Sequence, residues 1–175
     1  MMGAAVDQGT TVSENVETAP ESVDLVTVLD KRGASIVGYG SEVNTSEGVR
    51  ELHGSDHDGI PDRIETGTYL VAGAITRGAV TLNRCRPNHL DALLMKLQAA
   101  GVEMPVEKER IHHNAASRLQ GIELRTLPYP GLPTARQAPM GALKAGRAGQ
   151  GWCRPMAPKD SLFTFLAFRV AAPAP

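Results

Sequence analysis

Gly78-Ala79-Val80-Thr81, followed by Pro87, Asp91, Leu97 and Gly101, decides the fold, because the chain contains an earlier copy of it. That copy is Gly9-Thr10-Thr11-Val12 followed by Pro20, Asp24, Leu29 and Gly33. The offset between copies is 69 residues for the first glycine, 67 for the proline and aspartate, and 68 for the leucine and last glycine. Self-similarity at a nearly constant spacing marks a repeated supersecondary unit.

Each copy has a local physical reading. The first glycine is expected to end a preceding helix in a left-handed conformation. The β-branched run after it, residues 10–12 or 80–82, predicts a strand. The proline then sits near a helix N-terminus, where its missing N–H is no loss. Apolar residues follow at helical spacing: Val23, Val26 and Leu29 in one copy, and Leu90, Leu93, Leu94 and Leu97 in the other. Gly33 and Gly101 close these helices, and Ala34-Ser35-Ile36-Val37 and Val102-Glu103-Met104 predict short strands. Between the copies a helix is expected from Asp62 to about Thr76, with Ile64, Leu70, Val71, Ala74 and Ile75 on its apolar side. Strand, helix and strand, with a further helix before the next copy, make an α/β repeat.

A third copy starts near Leu124-Arg125-Thr126 and Pro133-Thr134 but degrades quickly. Pro139 falls inside its expected helix, at a cost of about 3 kcal/mol. Gly141, Gly146, Gly149 and Gly151 weaken that helix further. From Trp152 onward neither period is clear; residues 161–170 form an apolar run that suits a strand or a buried helix. Residues 146–175 read as a diverged tail whose Ala/Pro ending is expected to be disordered.

The composition is that of a globular chain, 42% hydrophobic and 21% charged, with aromatics at only 4%. No stretch reaches the roughly 20 apolar residues that span a bilayer. The start, Met1-Met2-Gly3-Ala4-Ala5-Val6-Asp7, lacks the basic flank and apolar region of a signal peptide, so a cytoplasmic location is expected. Cys85 and Cys153 have no spacing that suggests a disulfide framework or a zinc site. The net charge of −1 hides an asymmetry. Residues 1–60 carry eleven acidic and three basic side chains, and residues 111–175 carry two acidic and eight basic. The basic residues lie among Gly, Ala and Pro without a stacking aromatic pattern, which disfavours nucleic acid as a partner. The joint change in charge and Gly/Pro content near residue 139 fits a shifted reading frame.

The run Ile60-Pro61-Asp62-Arg63-Ile64-Glu65-Thr66-Gly67-Thr68-Tyr69-Leu70-Val71-Ala72 resembles the signature of the UDP-N-acetylglucosamine enolpyruvyl (1-carboxyvinyl) transferases. Other stretches resemble the same family in order. They include Gly9-Thr10-Thr11-Val12 with Glu14-Asn15, Glu47-Gly48-Val49-Arg50-Glu51-Leu52, and Thr126 with Pro128-Tyr129-Pro130-Gly131 and Pro133-Thr134. The resemblance covers roughly residues 1–145. It implies an α/β fold of repeated βαβαββ-type units (an inside-out α/β barrel), here with incomplete lobes. Residues 1–58 resemble the last unit of one lobe, 59–61 a hinge, and 62–145 the first unit and part of the next unit of the other lobe. Met1-Met2 resembles an internal pair in the family, so initiation within a longer ancestral frame is expected.

By resemblance, the chemistry is transfer of enolpyruvate from phosphoenolpyruvate to the 3-hydroxyl of UDP-N-acetylglucosamine, the first committed step of peptidoglycan synthesis. Addition followed by elimination needs cations for phosphate and carboxylate, a general acid for the vinyl carbon and a base for the hydroxyl; it needs no cofactor. The family's Lys-Asn pair, its loop cysteine and several arginines fall outside the matched stretch. Where the family reads Pro-Thr-Asp-Met-Gln-Ala-Gln, this chain reads Pro133-Thr134-Ala135-Arg136-Gln137-Ala138-Pro139, so Ala135 stands in place of the aspartate at the sugar hydroxyl. An Arg-Glu-Pro-Glu stretch appears as Thr18-Ala19-Pro20-Glu21. The resemblance therefore leaves no catalytic residue in the chain and implies Glu21, Arg63, Glu65, Thr134 and Gln137 as substrate-binding positions. For Arg63 and Glu65 the alternative is an ion pair in a solvated first helical turn.

The remaining polar clusters have plainer readings. His53-Gly54-Ser55-Asp56-His57-Asp58-Gly59 gathers imidazoles and carboxylates at a spacing that fits no standard metal site, and it reads as a polar loop. His112 and His113 point to opposite faces if extended. Cys85 reads as a buried structural thiol at a strand end, and Gly38-Tyr39-Gly40 as a turn. The expected protein is a transferase fragment, inactive alone, that a complementing polypeptide would complete; a non-catalytic remnant or a basic-tailed interaction protein is the alternative.

Overall fold

The computed structural model describes residues 1–115, 119–120, 122, 124–125, 127, 129–132, 140–143 and 153–154. The chain divides into two compact units, Met1–Ile60 and Pro61–Pro175. In the first unit, strand β1 (Thr10–Glu14) leads to helix α1 (Pro20–Lys31), then β2 (Ser35–Val37) and β3 (Val43–Glu47). The strands form an antiparallel sheet in the order β1-β3-β2. Thr45 lies opposite both Val12 and Val37, and Glu47 lies opposite both Thr10 and Ser35. One face of the sheet carries Ile36, Asn44 and Ser46 inward; Val12, Val37 and Val43 are exposed on the other. The small core gathers Ala5, Val26, Leu29 and Ile36.

The second unit repeats this plan after helix α2 (Arg63–Thr76). Strand β4 (Ala79–Asn83) leads through a short 3₁₀ turn (Pro87–His89) into α3 (Asp91–Ala99) and then β5 (Arg110–Asn114). β5 pairs antiparallel with β4 and bridges on its other edge to Glu103 and Val106. Asn114 thus sits between Ala79 and Glu103 as Glu47 sits between Thr10 and Ser35. The three positions are displaced by 67, 69 and 68 residues, so the sequence repeat is also a repeat of register.

Helices α1, α2 and α3 end with the same pair of backbone bonds. A long one runs from Ala34 N to Leu29 O, from Gly78 N to Gly73 O and from Val102 N to Leu97 O. A short one runs from Gly33 N to Asp30 O, from Arg77 N to Ala74 O and from Gly101 N to Gln98 O. This termination places one residue in the left-handed region. Gly33 (φ +93°) and Gly101 (φ +90°) supply it for α1 and α3. For α2 the sequence points to Gly78 for that conformation, but Arg77 adopts it (φ 54°, ψ 38°). Gly78 follows as the donor of the long bond.

Other expectations also change. Val102-Glu103-Met104 forms only one isolated bridge, at Glu103, not a strand. Ile64 and Ile75, assigned to the apolar side of α2, are exposed; the buried face runs through Arg63, Thr66, Gly67, Leu70, Val71, Gly73 and Ala74. Two glycines and a threonine let this face approach its sheet closely, leaving the isoleucines on the flanks. In the degraded third copy, Leu124–Arg125 (β6) pairs in parallel with Cys153–Arg154 (β7), inside the stretch expected to be a tail. Residues 140–143 are helical despite Pro139, with Met140 and Leu143 buried in the main core beside Leu70, Leu93 and Leu97. Among the described residues no helix is long and apolar enough to cross a membrane.

In the second unit α2 packs closely against both β4 and β5 at Gly73. A Cβ on Gly73 would stand 2.8 Å from Val80 Cγ2 and 3.1 Å from His113 Cε1. His113 is 0% exposed, and neither ring nitrogen has a hydrogen-bond partner among the described residues. Burial pushes its pKa down from 6.5, partly offset by the nearby backbone of His113 and Gly78, with His112 adding to the depression. Cys85 is buried with its Sγ 3.7 Å from Leu82 O, and desolvation pushes its thiol pKa up, away from the reactive thiolate.

This packing can be tested at both of its partners. Alanine at Gly73 gains about 1 kcal/mol of helix propensity, but overpacking against Val80 and His113 costs about 1–3 kcal/mol. Gly73→Ala should therefore lower the denaturant midpoint. Between the depressed folded pKa of His113 and its unfolded value near 6.5, the unfolded chain binds more protons, so stability rises with pH through that window. The unfolding midpoint should fall as pH drops below about 6.5, and His113→Leu should flatten that dependence.

Candidate functional site

Arg63 opens α2 just after Asp62, whose carboxylate caps the helix. Asp62 Oδ1 accepts from the N–H groups of Ile64 (2.6 Å) and Glu65 (3.2 Å). The Asp62 carbonyl accepts from the Thr66 hydroxyl (2.8 Å) and from the Thr66 N–H. Such a cap satisfies the donors that a helix start leaves open. It also sets the direction of the first turn, in which Arg63 shares the inward face with Thr66, Gly67 and Leu70.

Arg63 is 6% exposed, which is unusual for an arginine in a first helical turn. Its guanidinium carbon lies 5.2 Å from the centroid of the Tyr129 ring, within cation–π range. Tyr129 stands in a short turn closed by Leu127 N–H donating to Leu132 O (2.9 Å) and anchored by the buried Leu132. The Tyr129–Pro130 peptide is cis. Glu65 is exposed on another face, so a solvated ion pair between Arg63 and Glu65 does not describe this turn. Glu21 is exposed in the first turn of α1, in the other unit. Thr134, Ala135 and Gln137 lie outside the described residues.

Tyr129 is the residue that site reasoning from sequence passes over. The stretch Pro128-Tyr129-Pro130-Gly131 stands out there for its family resemblance alone. The available signal is a single aromatic held between two prolines in a chain with few aromatics.

The polar segment 53–59 has no regular secondary structure and is fastened to α1 and its C-terminal end. His57 Nε2 lies 3.0 Å from Asp24 Oδ1, Ile60 N–H donates to Asp24 Oδ2 (3.4 Å), and Arg32 Nε–H donates to His53 O (3.0 Å). Among the described residues no three His, Cys, Asp or Glu side chains gather as metal ligands. An open hollow of about 550 Å³ at the ends of β4 and β5 is lined by Arg84, Glu107, Lys108, Glu109 and Arg110. Its opposed charges and openness suit a solvated surface, and it contains none of the residues singled out from sequence.

The Asp62 cap can be tested directly. Asp62→Ala should cost about 1 kcal/mol of stability, read as a lowered denaturant midpoint. Asp62→Asn or Asp62→Ser should recover most of it.

The family model for EPSP synthase (3-phosphoshikimate 1-carboxyvinyltransferase) matches residues 1–150. The chain is 42% identical over 143 residues to UDP-N-acetylglucosamine 1-carboxyvinyltransferase 1 of Staphylococcus aureus, covering 82% of this chain and 34% of that protein. It is 41% identical over 151 residues to UDP-N-acetylglucosamine 1-carboxyvinyltransferase 2 of Bacillus cereus, covering 86% and 35%. The chain thus spans about a third of the length of these relatives. Among solved structures, the enolpyruvyl transferase NikO from Streptomyces tendae superposes with a TM-score of 0.73 at 26% identity, covering 87% of this chain and 37% of that one. EPSP synthase from Acinetobacter baumannii, at 19% identity and a TM-score of 0.64 over 97% of this chain and 40% of that one, shares the fold. With the register repeat described above, these similarities make the chain a member of the EPSP synthase family of enolpyruvyl transferases.

Proposed function

We propose that this chain is a portion of a UDP-N-acetylglucosamine 1-carboxyvinyltransferase that contributes substrate contacts but does not catalyse the reaction by itself. The observation that carries the reading is the 42% identity over 143 residues to a relative with that name. The buried Arg63 at the start of α2 supports it locally, since a guanidinium offers planar paired donors to phosphate or carboxylate. In this reading Arg63 supplies the cation for an anionic group of UDP-N-acetylglucosamine or phosphoenolpyruvate. Glu65, Thr134 and Gln137 border the sugar nucleotide.

The reaction joins the sugar 3-oxygen to the central carbon of phosphoenolpyruvate while a proton adds to the vinyl carbon. The methyl carbon so formed then loses a proton and phosphate leaves, which re-forms the vinyl group. The hydroxyl must give up its proton to a base, and Ala135 has no group to receive it. Binding and turnover are therefore separable here: the arginine remains and the proton acceptor does not. A second polypeptide carrying the remaining parts of the fold is the partner that restores turnover.

The test is phosphate release from phosphoenolpyruvate and UDP-N-acetylglucosamine, with calorimetric titration of each ligand into the chain. Binding of at least one ligand is expected, together with no release above background for the chain alone. Release by the chain alone would overturn the inactivity reading, and absence of binding would favour an inert remnant.

A further inference from the structure

We infer that the outward face of α2 is an interface on which a second copy of this chain docks, α2 against α2 and antiparallel, in a two-fold dimer. The sequence of α2 is that of a covered helix. Over its 14 residues it carries only Arg63 and Glu65 as charged side chains, and Arg63 is buried. A helix that is apolar all round is normally covered all round, yet Ile64, Tyr69 and Ile75 are 40%, 55% and 42% exposed. Ile64, Thr68, Ala72 and Ile75 follow one another at spacings of four, four and three residues, which sets them on one stripe of the exposed side. The hydroxyl donors of this side are already satisfied within the helix. Thr68 donates to the carbonyl of Ile64 (2.8 Å) and Thr76 to that of Ala72 (3.0 Å), so covering them strands no donor. Helix α1, by contrast, turns Glu21 and Lys31 to water.

The face is complementary to itself, and that selects the occupant. In a two-fold contact residue i of one copy meets residue j of the other, and j meets i. Antiparallel pairing about an axis near residue 70 sets Ile64 beside Ile75 of the other copy and Thr68 beside its Ala72. The small central residues let the helices approach, and the isoleucines close both ends of the contact. The ends of the face also carry opposite charge: Glu65 is exposed in the first turn, and Arg77 is exposed just past the last. Antiparallel pairing brings each Glu65 to Arg77 of the other copy and sets the helix dipoles in opposition. Parallel pairing would put Glu65 against Glu65. One helix of 14 residues, about 21 Å long, offers less than a standard interface, so the dimer is weak and depends on concentration. Glu65 also borders the sugar nucleotide in the function proposed above, so the pairing is measured without ligand.

The experiment is sedimentation equilibrium of the full chain, with thiols reduced, from about 10 μM to about 1 mM. The unaltered chain should pass from monomer to dimer in this range. Ala72→Arg places a charge at the centre of the contact and should leave a folded monomer, checked by circular dichroism. Glu65→Arg and Arg77→Glu each turn two attractive pairs into two repulsive ones and should weaken the dimer by about tenfold. The double variant Glu65→Arg/Arg77→Glu restores opposite charges only in the antiparallel arrangement, and should recover the dimer. If a variant carrying Arg77→Glu fails to fold, Ala72→Arg and Glu65→Arg still decide. A chain that stays monomeric throughout, or a dimer that Ala72→Arg leaves intact, overturns the proposal. A double variant no tighter than its parents overturns the antiparallel pairing. A monomeric chain that instead binds a polypeptide carrying the remaining two-thirds of a relative, and loses it in Ala72→Arg, identifies that polypeptide as the occupant and also overturns the second copy.

Discussion

In each repeat the last strand enters between two neighbours that flank a helix in sequence, and the other elements depend on that insertion. β3 donates and accepts along both edges, to β1 and to β2. β5 does the same with β4 and with the bridging residues around Glu103 and Val106. Paired on both sides, a strand has no backbone group left to satisfy elsewhere. Its register then fixes which residues face the helix, because a slip by one position would turn every side chain over. The helix between the first two strands must cross the inner face, which is why Val26 and Leu29 in one copy and Leu93 and Leu97 in the other are buried.

The central strands do not look like central strands in the sequence. Val43-Asn44-Thr45-Ser46-Glu47 buries Asn44 and Ser46, and Arg110-Ile111-His112-His113-Asn114 buries Ile111 and His113. Polar residues at inward positions erase the apolar alternation by which a strand is recognised. In the second unit they are accommodated because the facing helix is thin at the contact. The buried face of α2 includes Gly67 and Gly73, and the His113 ring sits against Gly73. A fully buried imidazole whose pKa is lowered by desolvation is the consequence, and it ties the stability of this unit to pH.

The start of α2 places a capping carboxylate and a buried arginine side by side. Asp62 takes up two backbone donors of the first turn, those of Ile64 and Glu65. Arg63 turns inward to Tyr129 and Glu65 outward to water, although they are two residues apart in the same motif. At 3.6 residues per turn, neighbours two apart point in nearly opposite directions. A motif read as a string treats them as a pair, and the helix separates them.

The sequence by itself determined the repeat, the three helices with their approximate ends, and the family, because these rest on short-range signals: apolar spacing, proline at a helix start, glycine beyond its end, and a long matching run. It also placed Cys85 in the interior and segment 53–59 in a loop. Only the tertiary structure decided that β3 and β5 exist, that Arg77 rather than Gly78 takes the left-handed position, that Ile64 and Ile75 face outward, and that Tyr129 meets Arg63. Each of these depends on what lies opposite a residue in space. A strand defined by its neighbours, a helix face chosen by how closely a sheet approaches, and a ring brought from 66 positions away leave no periodic trace along the chain.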